Sequence, residues 1–119
     1  MDTHAVHLPV ERVDEALSIT PQLGADDMHA AAAAGYRSIV NNRPDFEGGR
    51  AQPRSAELEA AARAAGLHYR HLPVPPSGHS DADARRMADL VDSLPKPVLA
   101  FCRTGRRSAA LYQKGRSAG

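Results

Sequence analysis

Short runs of apolar residues recur along the chain, and between them lie longer segments with apolar residues three or four positions apart. The short runs predict strands over residues 17–23, 36–42, 67–74 and 98–101. Pro21 interrupts the first run, which predicts an edge strand there. The last run, Val98 to Phe101, is continuously apolar, which is typical of a strand buried on both faces.

The segments between these runs carry the signals of helices. Gly35, Gly66 and Gly115 each stand where such a helix is expected to end. Ser80 and Asp83 have the spacing of a capping box, with Asp in place of the preferred Glu. The predicted helices cover residues 26–35, 53–66, 80–94 and 108–115.

Alternating strands and helices predict an α/β fold with a mostly parallel sheet flanked by helices. The length of 119 residues fits a single domain, 1–119, with a core over about 17–114. In such sheets, ligands bind beyond the carboxyl ends of the strands. Cys102 lies at such an end, directly after the most apolar strand.

Composition narrows the function classes. Fifteen basic residues against fourteen acidic ones give a net charge of +1, which argues against a nucleic-acid-binding protein. No apolar run reaches the roughly 20 residues of a membrane helix, and the N-terminus lacks the pattern of a secretory signal. The single cysteine excludes an internal disulfide, so we expect a cytoplasmic protein. No closely spaced histidine pair has metal-ligand spacing, so we expect neither a metal nor a cofactor.

The chemistry-bearing segment is the loop Cys102-Arg103-Thr104-Gly105-Arg106-Arg107-Ser108. A loop between a buried strand and a helix N-terminus turns several backbone N–H groups toward one point. These groups and the arginines favour the thiolate, since cysteines in such places have pKa values of roughly 3.5 to 7.5. The same features bind an oxyanion. The sequence therefore predicts a nucleophilic cysteine inside an anion site.

Each loop position has an expected role. Cys102, Arg107 and Ser108 are the predicted catalytic residues: Arg107 offers a bidentate fork to an anion, and the Ser108 hydroxyl donates to the thiolate. Gly105 lets the backbone curl. Substrate binding is expected from the remaining loop residues and from Arg43, namely Arg103, Thr104, Gly105, Arg106 and Arg43.

The motif CRTGRRS, with SITPQL near the start and VNNRPDFE in the middle, resembles the phosphatase-like domain of the beta-lactamase hydrolase-like proteins. The resemblance covers residues 17–111 and implies the fold of dual-specificity cysteine phosphatases. Some relatives join this domain to a metallo-beta-lactamase-fold domain linked with persulfide oxidation. The resemblance thus also implies a possible sulfide-oxidation partner enzyme.

Two departures from true phosphatases shape the functional hypothesis. Their arginine follows the cysteine after five residues, whereas Arg107 follows Cys102 after four, as in the loop of rhodanese-type sulfurtransferases. In true phosphatases the general-acid Asp follows a segment like LPV. In this chain the residues after that segment, 75–78, are Pro-Pro-Ser-Gly and contain no carboxylate. The nearest carboxylates are Asp81 and Asp83, where the next helix is expected to start. Without an acid to protonate it, an alkoxide is a poor leaving group, and the reaction rate falls by about 10²- to 10⁴-fold. Both departures favour a sulfurtransferase or persulfide carrier acting on thiosulfate or a persulfide.

Two alternatives stay open: a protein-tyrosine or dual-specificity-type phosphatase acting on a phosphate ester through a phosphocysteine, and a non-catalytic anion-binding module. A phosphatase needs an acid, for which Asp45 and His79 are the candidates. Asp45 also fits a structural turn cap, and either Asp45 or Glu47 could orient an arginine or act as the acid. Arg43 either adds positive field to the pocket or belongs to a structural turn. His71 either approaches the pocket or is a half-buried strand histidine.

Overall fold

The computed structural model describes residues 8–118, so residues 1–7 and 119 of the predicted domain lie outside the described part. The four predicted strands and four predicted α-helices alternate as expected, and a short additional strand precedes them. The strands are β1 (Glu11–Arg12), β2 (Leu17–Thr20), β3 (Ser38–Asn41), β4 (His68–His71) and β5 (Val98–Phe101). The helices are α1 (Met28–Ala33), after a 3₁₀ turn over Ala25–Asp27, α2 (Ser55–Ala64), α3 (Asp81–Ser93) and α4 (Arg106–Ala118).

The sheet has the order β1-β2-β5-β3-β4, and all of its strands except β1 are parallel to one another. The last strand in sequence, β5, is therefore the middle strand of the sheet. Its four residues are all buried, as the continuous apolar run predicts. This position brings the loop after β5 between the carboxyl ends of β2 and β3.

Each face of β5 packs on a different pair of helices, because successive strand residues point to opposite sides. Val98 and Ala100 join one apolar cluster with residues of α3 and α4, including Met87 and Leu111. The other face contributes to a second cluster with residues of α1 and α2, namely Leu99 and Phe101 with Met28, Leu58 and Ala62. The sheet is thus a middle layer between two helical layers.

The expectation that the first strand is an edge strand is wrong. The segment Glu11–Arg12 pairs antiparallel with β2 and covers it, so β1 and β4 are the edges. Two exposed, charged residues give no hydrophobic signal, which is why the pattern does not reveal β1. The strand also stops at Thr20, one residue before Pro21.

The predicted end of the last helix at Gly115 is also wrong, because α4 runs on to Ala118 and begins two residues early at Arg106. A Cβ on Gly115 would lie 2.2 Å from the carbonyl oxygen of Ala84 in α3. Gly115 is therefore a close-approach residue between two packed helices. By contrast, Gly35 and Gly66 have φ angles of 101° and 83°, as expected at helix ends. The capping box of Ser80 and Asp83 is confirmed.

Candidate active site

Cys102 lies at the sheet's middle, immediately after β5, and is almost fully buried. The loop turns there through Gly105, whose φ of 93° is a conformation that other residues adopt at a cost. A Cβ on Gly105 would stand 3.2 Å from the carbonyl oxygen of Thr20. Glycine at this position therefore lets the loop pass close to the end of β2.

Loop amides surround the Cys102 sulfur. The Gly105 N–H donates to Sγ at 3.0 Å. Burial alone raises the pKa of the Cys102 thiol, but hydrogen bonds from the N–H groups of Ser108, Thr104, Gly105 and Arg107 outweigh it, so the pKa lies below its ordinary value. The cradle expected from the loop sequence is thus built from backbone donors, and it favours the thiolate.

Arg107 reaches across the cleft to a carboxylate on another element. Its Nη1 and Nη2 donate to the two carboxylate oxygens of Glu47 at 2.9 and 3.0 Å, a bidentate pair. Nη1 also donates to the carbonyl oxygen of Val74 at 2.9 Å. The guanidinium plane of Arg107 is therefore fixed by partners outside its own loop.

Arg43 holds the same carboxylate from the other side. Its Nε donates to Glu47 Oε2 at 2.9 Å, and its Nη1 donates to Gln22 Oε1 at 3.0 Å. The Arg107 hydrogen bond has the largest effect on Glu47; it lowers the pKa against the opposing effect of burial, and Arg43 lowers it further. Glu47 is therefore an anion at neutral pH, and it cannot serve there as a proton donor.

The turn that presents Glu47 is held by Gln52. The Gln52 amide accepts from the Gly48 N–H at 2.6 Å and donates to the carbonyl oxygen of Pro44 at 2.8 Å. Within this turn Phe46 has a φ of 68°, which is uncommon for a residue with a side chain. Phe46 directly precedes Glu47, whose carboxylate accepts both hydrogen bonds from Arg107 of the loop.

The other predicted loop residues have varied surroundings. Ser108 is fully buried, and among the described residues its hydroxyl oxygen has no hydrogen-bond partner. The expected hydroxyl bond to the Cys102 sulfur is therefore not formed in this structure, and Ser108 donates to the sulfur through its backbone N–H instead. Thr104 accepts from the Arg106 N–H through Oγ1 at 3.3 Å. Arg106 donates to Glu11 of β1 at 2.6 Å, at the surface.

The two acid candidates are placed differently. The Asp45 carboxylate accepts from the Ser55 N–H at 2.8 Å, so it caps the start of α2 and does not line the cleft. His79 lines the cleft beside Cys102. His71 is bonded through Nε2 to the carbonyl oxygen of Arg43 at 2.9 Å, behind the cleft, as a half-buried strand histidine.

The cleft has two connected parts, which share Arg103, Arg107 and Pro76. The part lined by Cys102 and His79, here called the cysteine pocket, also includes Thr104 and Arg106. The part lined by Arg43, Glu47 and Gly48, here called the arginine pocket, lies next to it. The structure thus brings Arg43 to the cleft that the loop residue Arg103 also lines.

Sequence reasoning found the cysteine cradle but did not single out Gln22, Val74 or Gly48. The shared use of Glu47 by two arginines also has no local sequence signal, because Arg43 is four residues away but Arg107 is sixty residues away. Within residues 8–118, no group of three or more metal-ligating side chains is found. No helix of the described chain is long and apolar enough to cross a bilayer.

The middle-strand cysteine loop and the layered sheet define a cysteine-phosphatase-like fold. The family described as "Beta-lactamase hydrolase-like protein, phosphatase-like domain" matches residues 9–118, and the chain belongs to it. A beta-lactamase hydrolase-like protein of Agrobacterium fabrum is 36% identical over 104 residues, which cover 87% of this chain. The chain spans only 24% of that relative.

Solved structures agree with this assignment. A candidate phosphatase of Neisseria meningitidis superposes with a TM-score of 0.83 at 35% identity, covering 90% of this chain and 75% of that one. TpbA of P. aeruginosa, a variant solved in complex with phosphotyrosine, has a TM-score of 0.62 at 15% identity, covering 88% and 63%. The second neighbour shows the fold alone. The family description and the N. meningitidis neighbour favour the phosphatase alternative over the sulfurtransferase hypothesis.

We expect the Cys102 thiol of the folded protein to ionise at lower pH than that of the unfolded chain, because unfolding removes the loop N–H donors. The measurement is thiolate ultraviolet absorbance against pH, in buffer and in urea. The Cys102→Ser protein supplies the blank, since the chain has one cysteine. Coincident curves, or a folded curve at higher pH, would contradict the cradle.

We expect Glu47→Gln to lower the free energy of unfolding by roughly 3 kcal/mol at neutral pH, because two arginines lose their carboxylate in a largely buried site. The native pKa of Glu47 is lowered, so its contribution is complete above the ordinary value of 4.5 and is lost as the pH falls through the native pKa. Urea unfolding should therefore show the difference between Glu47→Gln and the unmodified protein shrinking in acid.

Glu59→Gln is the matched control, because Glu59 pairs with Arg63 at the surface. The Glu59→Gln variant should lose less than about 1 kcal/mol of unfolding free energy. Equal losses for the two variants would show that the Glu47 contacts add no more than a surface ion pair.

Proposed function

We propose that the protein hydrolyses phosphate monoesters through a phosphocysteine at Cys102. One observation carries this proposal: a thiol of lowered pKa lies under loop N–H groups, in a cleft that Arg107 also lines. Membership of the phosphatase-like family and the likeness to the N. meningitidis candidate phosphatase support it. The neighbour that binds phosphotyrosine makes an aryl phosphate a suitable first substrate.

The reaction follows from the donors around the sulfur. The Cys102 thiolate attacks phosphorus, so an S–P bond forms while the ester P–O bond breaks and the alcohol departs with a proton from an acid. The loop N–H groups that surround the sulfur and the Arg107 guanidinium stabilise the charge on the phosphoryl oxygens; these N–H groups belong to Thr104, Gly105, Arg107 and Ser108. Water then attacks phosphorus, breaks the S–P bond, and releases inorganic phosphate and the thiolate.

His79 is the best-placed candidate for the acid. Glu47 is held as an anion by two arginines, and Asp45 caps α2. Asp81 pairs with Lys114, and Asp83 accepts from the Ser80 N–H in the capping box. His79 alone among these candidates lines the cysteine pocket.

Sulfur transfer is the second candidate, because the four-residue spacing between Cys102 and Arg107 remains that of a rhodanese-type loop. In this reaction the thiolate attacks the outer sulfur of thiosulfate, an S–S bond forms on Cys102, and sulfite leaves with the electron pair of the broken bond. A thiolate acceptor would then take the sulfur. Neither the family description nor the neighbouring structures support this donor.

The deciding experiment compares the two chemistries on one protein. Phosphate release from p-nitrophenyl phosphate and rapid-quench mass spectrometry should show turnover and a phosphorylated Cys102, both lost in Cys102→Ser. Arg63→Ala removes a surface charge outside the cleft and should match the unmodified protein. A gain of one sulfur atom from thiosulfate without phosphate release would instead establish sulfur transfer. If the protein forms neither product but still binds phosphate, it is a non-catalytic anion-binding module.

We expect His79→Ala to slow hydrolysis of an alkyl phosphate about 10²-fold, with a smaller effect on p-nitrophenyl phosphate, whose leaving group needs little protonation. The measurement is kcat for both substrates. His68→Ala changes an exposed histidine of β4 and serves as the control. An equal loss of kcat on both substrates would exclude His79 as the proton donor to the leaving group.

A further inference from the structure

The arginine pocket extends the cleft beyond the space over Cys102. Cys102 lines only the cysteine pocket, whereas Arg43, Glu47 and Gly48 line only the arginine pocket. The two pockets join at Arg103, Arg107 and Pro76. A molecule with its reacting phosphate above Cys102 therefore has an adjoining space for a second group.

Arg43 is nine-tenths buried and offers a donor to this space. Its Nε and Nη1 are bonded to Glu47 and Gln22, but within the described residues its Nη2 has no hydrogen-bond partner. A Cβ on Gly48 would lie only 2.7 Å from that Nη2. The missing side chain of Gly48 thus leaves Nη2 uncovered beside the pocket.

The arginine pocket has a net positive charge, which also favours an anionic ligand. Three of its lining residues, Arg43, Arg103 and Arg107, are cationic, and Glu47 supplies the single negative charge. Arg43 and Arg107 both donate to Glu47 Oε2, so their guanidinium groups lie side by side. Two adjacent, largely buried cations sharing one carboxylate favour a further anion.

We propose that the arginine pocket binds a second phosphoryl group of the substrate, with Arg43 Nη2 as its donor. The inference rests on the proposed function, which places the reacting phosphate over Cys102. The substrate class is then a compound with two phosphoryl groups close together, either as a diphosphate or on neighbouring carbons. Arg43 is thus a specificity-determining residue, and Gly48 keeps its donor accessible.

Binding of inorganic pyrophosphate and of inorganic phosphate to the Cys102→Ser protein tests this directly by calorimetry. We expect pyrophosphate to bind about tenfold or more tightly than phosphate, since it gains charge-assisted hydrogen bonds. Arg43→Met and Gly48→Ala, each added to Cys102→Ser, should abolish that preference. Gly48→Ala keeps every charge and crowds Nη2 most closely, with Gln52 Oε1 the next atom at 3.2 Å, so it answers the question even if Arg43→Met fails to fold.

Arg50→Ala is the matched control, because Arg50 is exposed near the same turn and lines neither pocket. It should retain the preference for pyrophosphate. Equal affinities for the two anions in Cys102→Ser, or a preference that survives Arg43→Met or Gly48→Ala, would overturn the proposal. The measurement needs no turnover, so its result is separate from whether Cys102 cleaves phosphate esters.

Discussion

The ion-pair cluster around Glu47 is the interaction on which the candidate site depends. One carboxylate receives Arg107 from α4 and Arg43 from the end of β3. Removing a single partner from such a largely buried cluster leaves an uncompensated charge, which costs more than the intact pair contributes. The cluster therefore couples the position of the arginine beside Cys102 to the turn after β3.

The sheet makes this coupling possible. Because β5 lies between β2 and β3, its loop emerges where two other parallel strands also end. The Gly105 turn approaches Thr20 at the end of β2, and the Glu47 turn follows β3. The buried, uniformly apolar β5 fixes the start of the cysteine loop, and the two neighbouring strand ends supply its surroundings. The position of the N–H donors around Cys102 is thus determined by the backbone of the sheet and the loop.

Much of this arrangement is predictable from local patterns. The strand β5, the capping box of α3 and the glycine ends at Gly35 and Gly66 depend on nearby residues, and each matches its prediction. The cysteine cradle is equally local, since its donors are backbone groups of one loop. These features need only the order of apolar, polar and glycine residues.

The features that local patterns miss depend on contacts between distant segments. Gly115 looks like a helix end, but the approach of Ala84 explains it. The pairing of β1 with β2 rests on backbone hydrogen bonds, and the two exposed side chains of β1 give no signal of it. Glu47 could be suspected of orienting an arginine, yet its bonding to both Arg43 and Arg107 requires the folded turn. Such contacts become visible only when the tertiary structure is known.

The same distinction bears on the spacing between cysteine and arginine. Counting residues suggests a loop suited to sulfur transfer, because Arg107 stands one position earlier than in true phosphatases. In the folded protein, however, the Arg107 guanidinium is held by Glu47 and by the carbonyl oxygen of Val74, both outside the loop. The position of the Arg107 guanidinium relative to the Cys102 sulfur therefore depends on these contacts as well as on the length of the loop. A short loop with an externally anchored arginine can serve an anion larger than a single sulfur atom, so the spacing alone does not decide the chemistry.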